Sequence, residues 1–207
     1  MLLFNLISNP LQFIAFLVAI LGAISIHEFA HAFTANLYGD NTPKLMGRLT
    51  LNPFAHLDLW GTIFLLLAGF GWGKPVIVNP QNFKNPRLDN LTVSLAGPIS
   101  NLILAVILGL ILRFFNLPAF LSSLLEILIF FNLVLMIFNL IPIPPLDGSK
   151  ILSLFVKEET YLVLQQIGIP ILFGLIIFSQ FIPIIPTLMS KTVIFFFNIL
   201  TGYAPML

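Results

Sequence analysis

The sequence predicts an all-α polytopic membrane protein. It has about five to six transmembrane helices and one short segment that re-enters the bilayer or turns as a β-hairpin. Three observations point there. Hydrophobic residues make up 58% of the 207 residues and charged residues only 8%, against roughly 25% charge in soluble domains. Mean hydropathy is +1.05. Apolar runs recur at about 10–37, 57–72, 90–112, 122–141, 160–182 and 186–205, and crossing a bilayer takes about 20 residues. A single membrane-embedded domain over 1–207 is expected, with a core at about 10–150 and a closing helical hairpin at about 160–205.

Each run has its own reading. The first, 10–37, follows a Met1–Pro10 stretch with no positive n-region, so it reads as an uncleaved first transmembrane helix, not a signal peptide. The second, 57–72, is short and holds Asp58, Gly61 and Gly69. It either re-enters or spans, and Asp58 fits as the cap of a helix starting at 59. Gly71 to Pro80 brackets Val76-Ile77-Val78 with breakers and reads as a strand, either an exposed edge for an extended peptide or a surface hairpin anchored by Trp72. The runs 90–112 and 122–141 are ordinary spans, and 160–182 with 186–205 close the chain as an antiparallel pair.

Charge sets the orientation. Lys44, Arg48, Lys74, Lys84 and Arg87 lie between the first and third long runs, and Lys150 and Lys157 follow 122–141; only Arg113 and Lys191 fall at the opposite ends. The lysine-bearing loops are therefore expected in the cytoplasm. A net charge of +1 with no basic run excludes a nucleic-acid partner and leaves the lipid bilayer as the surroundings. With no cysteine, any metal must be held by His, Asp or Glu.

The first run contains His27-Glu28-Phe29-Ala30-His31. Residues four apart share a helix face, so both histidines can chelate one metal while Glu28 stands beside it as a general base. Ionisable groups at mid-membrane cost roughly 2.5–3.5 kcal/mol each on insertion scales, so such a cluster calls for a function. A hydrolytic zinc site takes three protein ligands and leaves one position open. The third could come from His56, Asp58, Asp89, Asp147, Glu158 or Glu159, whereas Glu126 lies towards the wrong side. Asp147 fits best. It follows Asn139 through a stretch broken by Pro142, Pro144 and Pro145, and Gly148 allows a tight turn behind it. Glu28 lies nine residues before the end of its helix, roughly 13–14 Å deep, and Asp147 approaches from that same side.

These residues, together with Ala96-Gly97-Pro98-Ile99-Ser100-Asn101 and Asn139 through Gly148, resemble the site-2 proteases, a family of intramembrane zinc metalloproteases. The resemblance covers about residues 20 to 150. Asn52 through Asp58 and Gly71 through Val76 look like the small branch of that family. It implies a three-helix catalytic core and one Zn2+ held by His27, His31 and Asp147, with Glu28 as acid and base. It also implies that Asn101 and Asn139 face the site. Asn101 could serve an oxyanion or substrate backbone, or act as interhelical glue; Asn139 could instead satisfy backbone freed by Pro142. His56 reads as a partner behind the metal ligands, a transient ligand, or an interfacial histidine. Neither an inserted PDZ domain nor a C-terminal CBS domain is seen, so regulation by those modules is not expected. The implied activity is peptide-bond hydrolysis in or near transmembrane segments of membrane-protein substrates, in a prokaryotic plasma membrane with the site towards the cytoplasm. A metal-binding membrane transporter and a non-catalytic transmembrane-helix-binding protein are the alternatives.

Overall fold

The computed structural model describes residues 9–68, 71–179 and 182–205; most of the Met1–Pro10 stretch and Gly69 lie outside them. Five helices are long and apolar enough to cross a membrane: α1 (Pro10–Leu37), α4 (Pro86–Phe114), α5 (Ala119–Asn139), α7 (Glu158–Phe178) and α8 (Ile184–Thr201). Shorter helices are α2 (Thr42–Leu45), α3 (Leu59–Ala68) and α6 (Ser149–Leu152). The all-α polytopic class is borne out.

Local chemistry starts these helices where the sequence suggests. Asn9 accepts from the Gln12 N–H and Pro10 occupies the first turn of α1, where its missing N–H costs nothing. Pro86 does the same for α4, and Asp89 reaches back to the Asn85 N–H at 2.9 Å. Helices α1, α4 and α5 pack against one another as a three-helix core. Ala15, Ala19, Ala23, Ala32 and Ala35 of α1 and Ala105 of α4 are buried; such small side chains let helices approach where lipid offers no hydrophobic drive to associate.

The second apolar segment re-enters. Leu57 and Gly73 form an antiparallel bridge, and the Lys74 N–H donates to the His56 carbonyl at 2.8 Å. The chain therefore leaves and returns on one side, with α3 between, and Asp58 caps α3 through the Gly61 N–H at 2.8 Å. Residues 74–78 belong to no strand among the described residues, which corrects the strand expected there. They run alone, with Pro75 removing one ladder donor. Fully buried Asp40, just past α1, accepts from the Thr42 and Asn79 N–H groups and from the Asn82 amide, and so ties this return segment to the core.

The expected C-terminal hairpin does not form. Helices α7 and α8 do not pack along each other among the described residues; α8 packs instead on α4 and α5. Arg113, at the far end of α4, donates to the Ile199 carbonyl, and the Tyr203 hydroxyl donates to Glu126 near the start of α5. Helix α8 therefore runs parallel to α4. Val193 and Phe197 explain the choice: both are buried among Ala105, Ile129, Leu133 and Met136, filling the groove between α4 and α5. A short link between two apolar runs suggests neighbours, but side-chain fit decides which helix each one meets.

Phe197→Ala is expected to destabilise the protein in detergent by about 3 kcal/mol or more through the cavity it leaves. Phe195→Ala, at a side chain 58% exposed, should stay within roughly 0.5 kcal/mol of wild type. Thermal unfolding of the two variants side by side checks this.

Candidate metal centre

His27 and His31 lie one turn apart on α1, both buried, with their Nε2 atoms 3.0 Å apart and rings edge-to-face. Asp147 comes from the loop after α5. Its Oδ2 lies 3.0 Å from His27 Nε2 and 3.3 Å from His31 Nε2. Local chain geometry delivers it. The prolines end α5, the Gly148 N–H returns to the Asn139 carbonyl at 2.7 Å, and a Cβ on Gly148 would stand 2.2 Å from the Leu140 carbonyl oxygen. Only glycine permits the fold-back that aims Asp147 at α1.

Hydrogen bonds behind the rings set the tautomers. His27 Nδ1 lies 2.7 Å from Asn101 Oδ1, and His31 Nδ1 lies 2.7 Å from the Val93 carbonyl. Both partners are acceptors, because the Asn101 amide nitrogen is already donating to the Ala23 carbonyl and to Asn132 Oδ1. Each Nδ1 therefore carries the proton, and each Nε2 presents a lone pair towards the other and towards a buried carboxylate oxygen that receives no hydrogen bond. Two lone pairs and an anionic oxygen within about 3 Å repel one another unless a cation lies between them. The N, N, O donor set suits zinc. The residues fit the ion.

Helix α4 closes the back of the site at Gly97, where a Cβ would lie 2.4 Å from His31 Nε2. Pro98 has no N–H to offer the Ser94 carbonyl one turn earlier, beside the Val93 carbonyl that meets His31. Glu28 points to the other side, and its Oε2 accepts from the Val76 N–H at 3.0 Å. A cleft of about 620 Å³ opens in front of these groups, bordered by Trp72, Val76, Asn139, Lys150, Leu172 and Phe173. Helix α7 forms one wall. It is anchored by Tyr161 near Ser149 and by Gly168 against the Pro144 backbone.

The remaining expected residues take different places. Asn139 borders the cleft, with its amide donating to the Leu135 carbonyl. Asn101 lies behind His27, fully buried with both donors used, so it has no N–H left for an oxyanion. His56 is fully buried, not interfacial, and stands outside the metal-binding group found among the described residues. Its Nε2 meets the Thr50 carbonyl, and its own carbonyl holds the return segment. Glu158 and Glu159 are exposed at the start of α7, and Asp58 serves as a cap. Two contributors went unforeseen. Asn132 links Asn101 to α5, and as a lone amide in the 122–141 apolar run it carried a signal of its own. The Val76 N–H, a backbone group, carried none.

The sequence profile of peptidase family M50 matches residues 15–120 and 116–179. The chain belongs to this family. The site-2 protease resemblance is thereby borne out. Among its relatives is YwhC of Bacillus subtilis (strain 168), described as a candidate zinc metalloprotease. The two are 48% identical over 154 residues, 70% of each chain. Rip2 of Mycolicibacterium smegmatis (strain ATCC 700084 / mc(2)155), described in the same way, is 35% identical over 73% of this chain and 62% of its own. Zinc metalloprotease MJ0392 of Methanocaldococcus jannaschii is 27% identical over 83% of this chain and 46% of its own. The chain thus spans between about half and seven-tenths of these relatives. No solved structure matches it.

Asn101→Leu should weaken zinc binding about 10–100-fold by freeing the His27 ring, and Asn132→Leu should weaken it less in the same direction. Chelator competition on purified protein measures both.

Proposed function

We propose that this chain is an intramembrane zinc-dependent endopeptidase that hydrolyses peptide bonds in or near transmembrane segments of other membrane proteins. The single observation that carries the reading is the convergence of His27, His31 and Asp147 from two distant segments, with Glu28 beside them facing a cleft. His27, His31 and Asp147 would hold one zinc ion per chain, which when bound would supply Lewis-acid polarisation of the scissile carbonyl and lower the pKa of a water towards neutrality.

The protein's own groups do the rest. Glu28 takes the proton of the attacking water and returns it to the leaving nitrogen. The Val76 N–H holds Oε2 and leaves the other carboxylate oxygen for that water. His27 and His31 stay fixed as ligands because their Nδ1 protons are engaged by Asn101 and Val93. A peptide bond within a helix is shielded by its own hydrogen bonds, so the substrate must be held extended at the cleft. The run 74–78, which belongs to no strand among the described residues, offers extended-peptide pairing beside Glu28 through the Ile77 and Val78 backbone. Asn139 lines the cleft, which supports a contact with substrate backbone.

The active site faces the cytoplasm in this reading, because the loops at the metal-side ends of α1, α4 and α5 carry seven of the nine Lys and Arg residues. The bacterial and archaeal relatives support a prokaryotic plasma membrane. The whole chain acts as one catalytic domain. A transport site would not explain the carboxylate of Glu28 placed beside two metal-binding histidines.

Glu28→Gln should keep about one zinc per chain and lower cleavage of a reconstituted membrane-protein substrate by about 100-fold or more. His27→Ala and Asp147→Ala should lose zinc and activity together. Metal analysis beside a cleavage assay separates these outcomes, and zinc-replete wild type that binds no zinc overturns the reading.

A further inference from the structure

Arg48 lies in the loop between α2 and α3 and is 4% exposed. Its guanidinium donates to the Ala55 carbonyl. The ion pairs among the described residues are made by His27, His31 and Asp147 and by Arg87 with Glu158; none reaches Arg48. No Arg48 side-chain nitrogen is buried without a partner among the described residues, so the donors not held by Ala55 open to the surface, where an acceptor, best an anionic one, can reach them.

Arg48 borders a small cavity of about 270 Å³, also lined by Met46, Phe54, Leu57 and Lys74 and by no acidic side chain. Two cationic residues therefore border one pocket. Around it the surface is apolar and uncovered: Leu45, Met46, Leu51 and Phe54 are all exposed, Phe54 at 78%. In the next turn, at the start of α3, Leu59 and Trp60 are exposed as well. A cationic pocket ringed by exposed apolar side chains, at the metal-side end of α1 and just before a segment that dips into the bilayer, matches the depth where lipid phosphates meet acyl chains.

We propose that this pocket binds the phosphodiester headgroup of an anionic phospholipid. Arg48 presents its planar fork to two phosphate oxygens and Lys74 supplies a second charge. Phe54 and Met46 cover the glycerol and the upper acyl chain. The pocket is too small for a peptide segment with its side chains, which favours lipid over a partner protein. The site has a structural consequence. Arg48 holds Ala55, the neighbour of His56, and the His56 carbonyl holds Lys74. A lipid engaging Arg48 and Lys74 joins both sides of the return that carries Val76 to Glu28.

The test uses the full chain, zinc-loaded, in nanodiscs of equal parts phosphatidylglycerol and phosphatidylcholine, with retained lipid counted by native mass spectrometry. Phosphatidylglycerol should be retained selectively, and its retention should fall about fivefold or more in Arg48→Gln and in Lys74→Gln. Zinc content reports whether each variant is folded. If Arg48→Gln fails that check, Lys74→Gln, at an exposed side chain, decides alone. Unchanged retention in the folded variants overturns the proposal. Displacement by inorganic phosphate alone makes the pocket a free-anion site, and displacement by a soluble acidic peptide makes it a protein site; either result also overturns it. Lipid retention is read without proteolysis, so this outcome is independent of whether the chain cleaves a substrate.

Discussion

The arrangement of the protein depends on one buried chain of hydrogen bonds through its interior. Asn132 donates to the Leu128 carbonyl and accepts from Asn101; Asn101 donates also to the Ala23 carbonyl and accepts from His27. This chain crosses α5, α4 and α1 in turn. Apolar helices in lipid can slide and rotate at little cost, because lipid tails are as apolar as leucine. A buried amide cannot, since each unpaired donor or acceptor is expensive where no water can replace the lost bond. Asn101 and Asn132 thus set the rotation of three helices about their axes. That rotation aims His27, and through the helix repeat His31, at one point.

The candidate metal site is completed from outside the helix register. Asp147 stands on irregular backbone, which membrane proteins tolerate only where it is covered by protein or lines a cavity. Here both hold: the loop folds back on Leu140, packs under Gly168 of α7, and borders the cleft. One rigid helix, α1, offers two candidate ligands and a constrained loop offers the third, so the carboxylate meets the imidazoles only when α1 and α5 hold the right relative depth.

On the metal side, the re-entrant segment works as a scaffold for one backbone donor. Asp40 pins its far end at Asn79 and Asn82, and His56 pins its near end at Lys74. Between these pins Val76 lies with its N–H on Glu28. A buried aspartate past α1 and a buried histidine outside the candidate metal group therefore fix the position of the single peptide unit that meets Glu28.

The sequence by itself determined the helix inventory, the pairing of His27 and His31 on one face, Asp147 as the best third partner, and the common side from which both halves approach. These follow from periodicity, from the high cost of ionisable groups in lipid, and from the three closely spaced prolines that break the chain after Asn139. Only the tertiary structure decided the rest. It turned Asn101 away from the cleft and onto His27, because the Asn132 and Ala23 oxygens claimed its donors. It buried His56, left 74–78 without a strand partner, and laid α8 along α4 and α5 instead of against α7. Each of those outcomes is a choice among partners of similar chemistry. Such choices are settled by shape and by the full set of competing acceptors, which exist only once the helices are assembled.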